Sequence, residues 1–183
     1  MKRIILGSIV GAAAVAAFAL SNNSGLNPGE NVTPFHPNHV SGPLANSTNC
    51  FPCTFQNRPQ VQVWVNGDDH KNIHAIAKTL NTAMGKNSEF KALMVFVTDK
   101  ANSEALAAKL KEASKMEGMD KIGVAYIDKG SDAVGAYKIN LDGEVKNTVF
   151  VYKNWKVEKK FVNLKGDEKG LEALNGAIGS VVK

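Results

Sequence analysis

The sequence predicts an α/β protein with a central mixed sheet of about five strands, flanked by helices and preceded by an irregular N-terminal arm. Two observations support this fold class. Short apolar runs alternate with segments whose apolar residues recur every three or four positions, a pattern that predicts alternating strands and helices. All six prolines lie within residues 22–59, and this composition shift predicts that a regular domain begins at about residue 59.

The first half of this domain alternates between strands and helices. Three segments are predicted to be strands, residues 61–67, 90–99 and 122–128. The second contains a nearly continuous apolar run, which is typical of a central strand covered on both faces. The segments between the three strands carry apolar residues at helical spacing and begin with residues that cap helices. These capping residues are Asp68 or Asp69 for the first helix and Asn102 or Ser103 for the second.

The second half predicts a hairpin and a closing helix. Residues 147–164 contain two strands around a tight Asn154-Trp155 turn, and residues 167–183 have apolar positions at helical spacing. A short helix is expected between the third strand and the hairpin. Strands joined through helices run parallel, whereas a hairpin adds antiparallel strands, so the sheet is expected to be mixed.

The N-terminus has the layout of a secretory signal peptide. Lys2 and Arg3 precede an uncharged apolar stretch, residues 4–20, which is followed by polar residues. We expect cleavage after Ala19 or Ser21, and therefore a signal peptide (1–21), an arm (22–58) and a domain (59–183). The expected location is periplasmic or extracellular, without membrane association after cleavage. An uncleaved membrane anchor is the alternative.

The charge pattern argues against a nucleic-acid partner. Removal of residues 1–21 lowers the formal net charge from +5 to +3. The basic residues are scattered except in residues 153–160, where Glu158 interrupts them. Lysines of this kind are typical of an exposed hairpin edge.

Cys50 and Cys53, in the segment NCFPCTF, form the first candidate site. In an exported protein they should be oxidised to each other unless they are reduced or bind metal. A bridge across so short a loop constrains the unfolded chain little, so global stability is a weak reason for it. One interpretation is a catalytic redox pair in which Cys50 is the nucleophile and Cys53 the resolving thiol. Another is a structural disulfide that shapes the turn before the domain.

A metal site is the third interpretation. His36 and His39 precede Cys50 and Cys53, with ten residues between the two pairs. Two imidazoles and two thiolates suit tetrahedral Zn²⁺, and copper accepts the same ligands. If the histidines are ordinary loop residues instead, the protein needs no cofactor.

The order of the elements resembles the thioredoxin-like superfamily, including its peroxiredoxin-like and periplasmic branches. NTVFVYKNWKV resembles that family's closing hairpin, and VQVWVNG resembles the strand before its active site. The chain is also similar to uncharacterised secreted bacterial thioredoxin-like proteins with a Cys-x-x-Cys before the first core strand. The resemblance covers residues 59–183. It implies a thioredoxin-like fold and a thiol–disulfide or electron-transfer role toward another exported protein.

The chain departs from this family at two positions. The family's nucleophilic cysteine follows the first core strand, but residues 68–71 here read Asp-Asp-His-Lys. The family's cis-proline falls at Asn147, where we expect a trans peptide bond because a non-proline cis bond is costly. These departures exclude peroxiredoxin chemistry and leave Cys50 and Cys53 as the candidate catalytic residues. The alternative is a non-catalytic interaction module with a structural disulfide.

Overall fold

A computed structural model describes residues 23–183, so the predicted signal peptide lies outside the described residues. The strands of the described chain are Asn38–Ser41 (β1), Gln60–Val65 (β2), Lys91–Thr98 (β3), Gly123–Asp128 (β4), Asn147–Lys153 (β5) and Lys156–Val162 (β6). The α-helices are Phe51–Phe55 (α1), His70–Lys86 (α2), Ser103–Ala113 (α3), Asp132–Ala136 (α4) and Glu168–Val181 (α5). A 3₁₀ turn, Lys100–Asn102, precedes α3.

The strands form one mixed sheet in the order β1-β4-β3-β2-β5-β6. The central strands β2, β3 and β4 are parallel, whereas β5 is antiparallel to both β2 and β6. This confirms the predicted α/β architecture. The sixth strand, β1, comes from the arm and pairs antiparallel with β4. Its four residues, NHVS, are too few to show an alternating pattern, so the sequence did not predict it.

Both faces of the sheet are covered. On one face, α2, α3 and α5 bury apolar residues that include Ile76, Leu80 and Leu174. On the other face, α4, α1 and the arm enclose an aromatic cluster, which contains Phe35, Trp64, Tyr137, Phe150 and Tyr152. Burial on both faces explains why β3 reads as a nearly continuous apolar run.

The arm is attached to the outer edge of the sheet. Val32 N donates to Trp155 O at 2.8 Å, and Gly29 N donates to Val157 O at 2.8 Å. Val157 N in turn donates to Glu30 O at 2.9 Å. The first part of the arm therefore lies along β6, while its later part contributes β1 and α1. The division of the chain at residue 59 stays a prediction.

Two local predictions are confirmed. Asp69 caps α2, because its Oδ1 accepts hydrogen bonds from the backbone N–H groups of Lys71 (2.9 Å) and Asn72 (3.2 Å). The hairpin turn lies at Asn154-Trp155, and both residues have positive φ values of 52° and 66°. Positive φ at both central residues is what a type I′ hairpin turn requires.

Candidate functional site

The two cysteines are joined in a disulfide at the start of α1. Cys50 is the N-cap of this helix, and Pro52 lies in its first turn, where proline is favoured. The backbone N–H of Cys53 donates to Cys50 Sγ at 3.1 Å. Thr54 adds two bonds to the Cys50 carbonyl, from its N–H at 3.0 Å and its hydroxyl at 2.9 Å. The short helix thus fixes the pair in one geometry.

The two cysteines differ in exposure. Cys50 is only 6 % exposed, whereas Cys53 belongs to the exposed residues. The difference arises because α1 turns one side toward the aromatic core, where Phe51 and Phe55 are buried with ring centroids 4.7 Å apart. Cys53 lies on the opposite side. Cys53 is therefore the more accessible residue of the pair, and Cys50 is the shielded one.

The disulfide lies at the amino end of the parallel strands. Gln60, at the start of β2, donates through Nε2 to Gln56 O at 2.9 Å, just after α1. Phe51 Cε2 lies 3.6 Å from where a Cβ would stand on Gly123, the first residue of β4. Residues 68–71 follow the other end of β2, which is about 20 Å long by its residue count. The Cys pair therefore lies at the amino end of the parallel strands, whereas the active site of thioredoxin-like proteins lies at the position of residues 68–71, at their carboxyl end.

A network of side-chain hydrogen bonds occupies the end of β2, where thioredoxin-like proteins carry their nucleophilic cysteine. Asp68 Oδ2 accepts from Asn72 Nδ2 at 2.7 Å and from Asn147 Nδ2 at 2.5 Å. Both asparagines also donate to Leu164 O at 3.0 Å, and Asn147 Oδ1 accepts from Leu164 N at 2.9 Å. Gly166 N donates to Asn72 Oδ1 at 2.6 Å. These groups are saturated with partners, which makes the network structural.

Sequence reasoning missed the role of Asn72 and Asn147. A signal was present, since asparagine is depleted in strands and Asn147 opens one. The expected trans bond at Asn147 is confirmed, because residues 23–183 contain no cis peptide bond.

A second buried network lies inside the aromatic cluster. Gln62 Nε2 donates to Tyr152 Oη at 2.7 Å, and Tyr152 Oη donates to Gln60 Oε1 at 2.7 Å. Trp64 Nε1 donates to Gln62 Oε1 at 3.1 Å. Burial raises the pKa of Tyr152 well above its usual value, so the phenol stays protonated and keeps donating. This network links β2 to β5 in the interior.

The histidines of the metal interpretation hold the loop before Cys50. His39 Nε2 lies 2.9 Å from Asn49 O, and His36 Nδ1 lies 2.9 Å from Thr48 O. His39 is buried and stacks on Phe51 with ring centroids 6.5 Å apart, whereas His36 is exposed. Within residues 23–183 no group of three or more His, Cys, Asp or Glu side chains is arranged to hold a metal ion. The zinc or copper alternative stays a prediction for the reduced protein.

His39 should make the stability of the protein pH-dependent. Burial lowers the pKa of its imidazole below the ordinary value of 6.5, so the folded state favours the neutral ring. The unfolded state then binds more protons as the pH falls through 6.5, and the free energy of unfolding decreases until the folded-state pKa is reached. Urea denaturation at pH 7.5 and pH 5.0 measures this loss.

The variant His39→Phe keeps an aromatic ring against Phe51 and should reduce the difference between the two pH values. His36→Gln removes an exposed imidazole from the same segment and is the matched control, which should retain the difference. An unchanged pH dependence in His39→Phe would contradict the assignment to His39.

None of the helices within residues 23–183 has the length and hydrophobicity needed to cross a membrane.

The chain is similar to known proteins in structure, whereas the comparisons by sequence found no significant match. Neither a protein-family model nor the sequence of a curated protein matches the chain significantly. A proposed thiol:disulfide interchange protein DsbE from Chlorobium tepidum is similar in structure, with a TM-score of 0.61, 15 % identity, and coverage of 86 % of this chain and 99 % of that one. A proposed protein disulfide isomerase from Bacteroides thetaiotaomicron has a TM-score of 0.61 and 12 % identity, covering 87 % and 94 %.

A third similar structure is a secreted disulfide oxidoreductase from Mycobacterium tuberculosis, homologous to DsbE, with a TM-score of 0.54 and 10 % identity. The match covers 80 % of this chain and 96 % of that one. At such identities the likeness concerns the fold. The strand order, the closing hairpin and these likenesses together show that the chain has a thioredoxin-like fold.

Proposed function

We propose that this chain is an exported thioredoxin-fold protein whose Cys50–Cys53 pair exchanges disulfides, or transfers electrons, with another exported protein. The observation that carries the proposal is the asymmetry of the pair. Cys53 is an exposed residue, while Cys50 is buried and its sulfur accepts the Cys53 N–H at 3.1 Å.

This asymmetry suits reversible exchange. Thiol–disulfide exchange requires access to one sulfur and a stable thiolate on the other, since the departing sulfur carries the negative charge. A backbone N–H aimed at that sulfur favours its thiolate form. Because Phe51 and Phe55 anchor α1 in the core, the pair is expected to stay close together after reduction.

The comparisons and the N-terminal sequence support the same proposal. Three similar structures belong to proteins described as thiol:disulfide interchange, disulfide isomerase and secreted disulfide oxidoreductase proteins. Residues 1–21 have the composition of a signal peptide, and disulfides persist mainly in exported proteins. The proposed partner is therefore also an exported protein that carries cysteines.

A non-catalytic interaction module with a structural disulfide is the second candidate. Its support is the position of the pair, at the amino end of the parallel strands and opposite residues 68–71. Ligands of open α/β sheets usually bind at the carboxyl end. The two candidates make different predictions for the reduction potential.

We expect the Cys50–Cys53 disulfide to have a reduction potential between about −120 and −270 mV, the range of known oxidoreductases. The measurement is thiol trapping of the mature protein after equilibration in a series of dithiothreitol or glutathione redox buffers. A potential below about −300 mV would instead identify a structural disulfide. Unfolding of the oxidised and the reduced protein in urea checks this potential independently. The difference between the two free energies of unfolding measures how strongly the fold stabilises the disulfide relative to the two thiols. The double variant Cys50→Ser/Cys53→Ser provides the background for an insulin-reduction assay.

A further inference from the structure

We infer that Cys53, the second cysteine of the pair, is the sulfur that partners attack, and that Cys50 is the leaving and resolving sulfur. This inference rests on the proposed function. It reverses the roles that sequence order suggests, in which Cys50 would be the nucleophile.

Exposure carries the first part of the argument. An attacking thiolate must approach a disulfide along the axis of its S–S bond, on the side of the sulfur that it will bond to. Cys50 is 6 % exposed, and its neighbours in the chain are the buried Phe51 and Asn49, whose carbonyl oxygen lies 2.9 Å from His39 Nε2. Cys53 is exposed on the outer side of α1. Cys53 is therefore the more accessible residue of the pair for an attacking thiolate.

Hydrogen bonding carries the second part. The N–H of Cys53 points at Cys50 Sγ, at 3.1 Å, while the fold holds both residues in the same helical turn. Negative charge that develops on Cys50 Sγ as the S–S bond breaks therefore meets a donor that is already in position. Exposure and hydrogen bonding therefore assign the same roles to the two cysteines, since the shielded sulfur is also the one whose thiolate is stabilised.

Oxidation of a partner dithiol by the pair then proceeds in two steps. A thiolate of the partner attacks Cys53 Sγ, forms a mixed disulfide with it, and the electron pair of the broken bond stays on Cys50 Sγ as a thiolate. The second thiolate of the partner attacks the partner's own sulfur in the mixed disulfide and releases Cys53 as a thiolate. The partner loses two electrons to the pair and gains a disulfide, and the two protons of its thiols are available to the two new thiolates.

In the reverse direction, Cys53 of the reduced pair attacks a disulfide of the partner. The mixed disulfide forms and the partner's other sulfur leaves as a thiolate. The Cys50 thiolate then attacks Cys53 Sγ, re-forms the Cys50–Cys53 bond and releases the second sulfur of the partner as a thiolate. The two protons given up by Cys50 and Cys53 are available to the partner's two thiolates. Cys53 is thus the residue that forms the intermolecular bond in both directions.

The test is limited alkylation of the reduced wild-type protein with less than one equivalent of iodoacetamide at pH 9. An ordinary thiol is largely ionised at this pH, so access and not ionisation decides which sulfur reacts. Peptide mapping by mass spectrometry then locates the label in singly alkylated protein. We expect at least tenfold more label on Cys53 than on Cys50. Equal labelling, or a preference for Cys50, would overturn the inference.

Single-cysteine variants extend the test to disulfide exchange. Cys50→Ser should form a mixed disulfide with oxidised glutathione at least tenfold faster than Cys53→Ser, and comparable rates in the folded proteins would overturn the inference. In 6 M guanidinium chloride the two rates should converge, which attributes the difference to the fold. The labelling of the wild-type protein decides the question if a variant does not fold. A reduction potential of a structural disulfide would refute the proposed function while leaving the labelling preference intact, so the two failures are distinguishable.

Discussion

Replacement of Asn147 with alanine should lower the free energy of unfolding by about 3 kcal/mol. Asn147 is 1 % exposed and makes three hydrogen bonds, to the Asp68 carboxylate and to both backbone groups of Leu164. Alanine removes these bonds and leaves the buried N–H of Leu164 without its acceptor. An unsatisfied buried group costs about 1–3 kcal/mol, and a bond to a charged partner contributes about 1.5–3 kcal/mol. Urea denaturation monitored by circular dichroism measures the change.

Two further variants define this effect. Asn147→Asp keeps the shape and the acceptor for Leu164 N, but it loses both donors and places a second carboxylate beside Asp68. It should therefore also be destabilised, and more strongly at pH 7 than at pH 4. Asn175→Ala, on the exposed surface of α5, is the control and should change stability by less than about 0.5 kcal/mol. A loss below about 1 kcal/mol in Asn147→Ala would contradict the proposed role of the network.

Replacement of Phe51 with alanine should lower the free energy of unfolding by about 3–5 kcal/mol, because it leaves a cavity at a fully buried site between α1 and the sheet. Phe51 is 0 % exposed and packs on Phe55 and His39. Its ring also lies against the start of β4, near Gly123. The same denaturation experiment on the oxidised protein measures the loss.

Phe51→Leu retains most of the apolar volume and should cost clearly less than the alanine variant. Thr54→Ser changes an exposed residue of the same helix but keeps the hydroxyl that donates to Cys50 O, so it is the matched surface control. If Phe51→Ala were no more destabilising than this control, α1 would not belong to the core. Loosening of α1 should also narrow the difference in alkylation between Cys50 and Cys53, since that difference depends on the packing of the helix.

Most of the domain could be predicted from periodicity and caps. The strands β2 to β6 and the helices α2, α3 and α5 are long enough for their spacing of apolar residues to define them. The arm was harder. Its strand β1 has four residues and its helix α1 has five, so neither shows a repeat. Both exist because tertiary contacts with β4 and the aromatic cluster stabilise segments with weak local preferences.

The sequence by itself determined the α/β order, the absence of a cysteine at residues 68–71, and the position of Cys50 and Cys53 before the first core strand. These are properties of local composition and chain order. Only the tertiary structure decided that Asn147 meets Asp68, 79 positions away in the chain, and that Cys53 rather than Cys50 is exposed. The physical reason is that exposure depends on which side of α1 packs against the sheet. Five residues are too few to encode that side in a repeat.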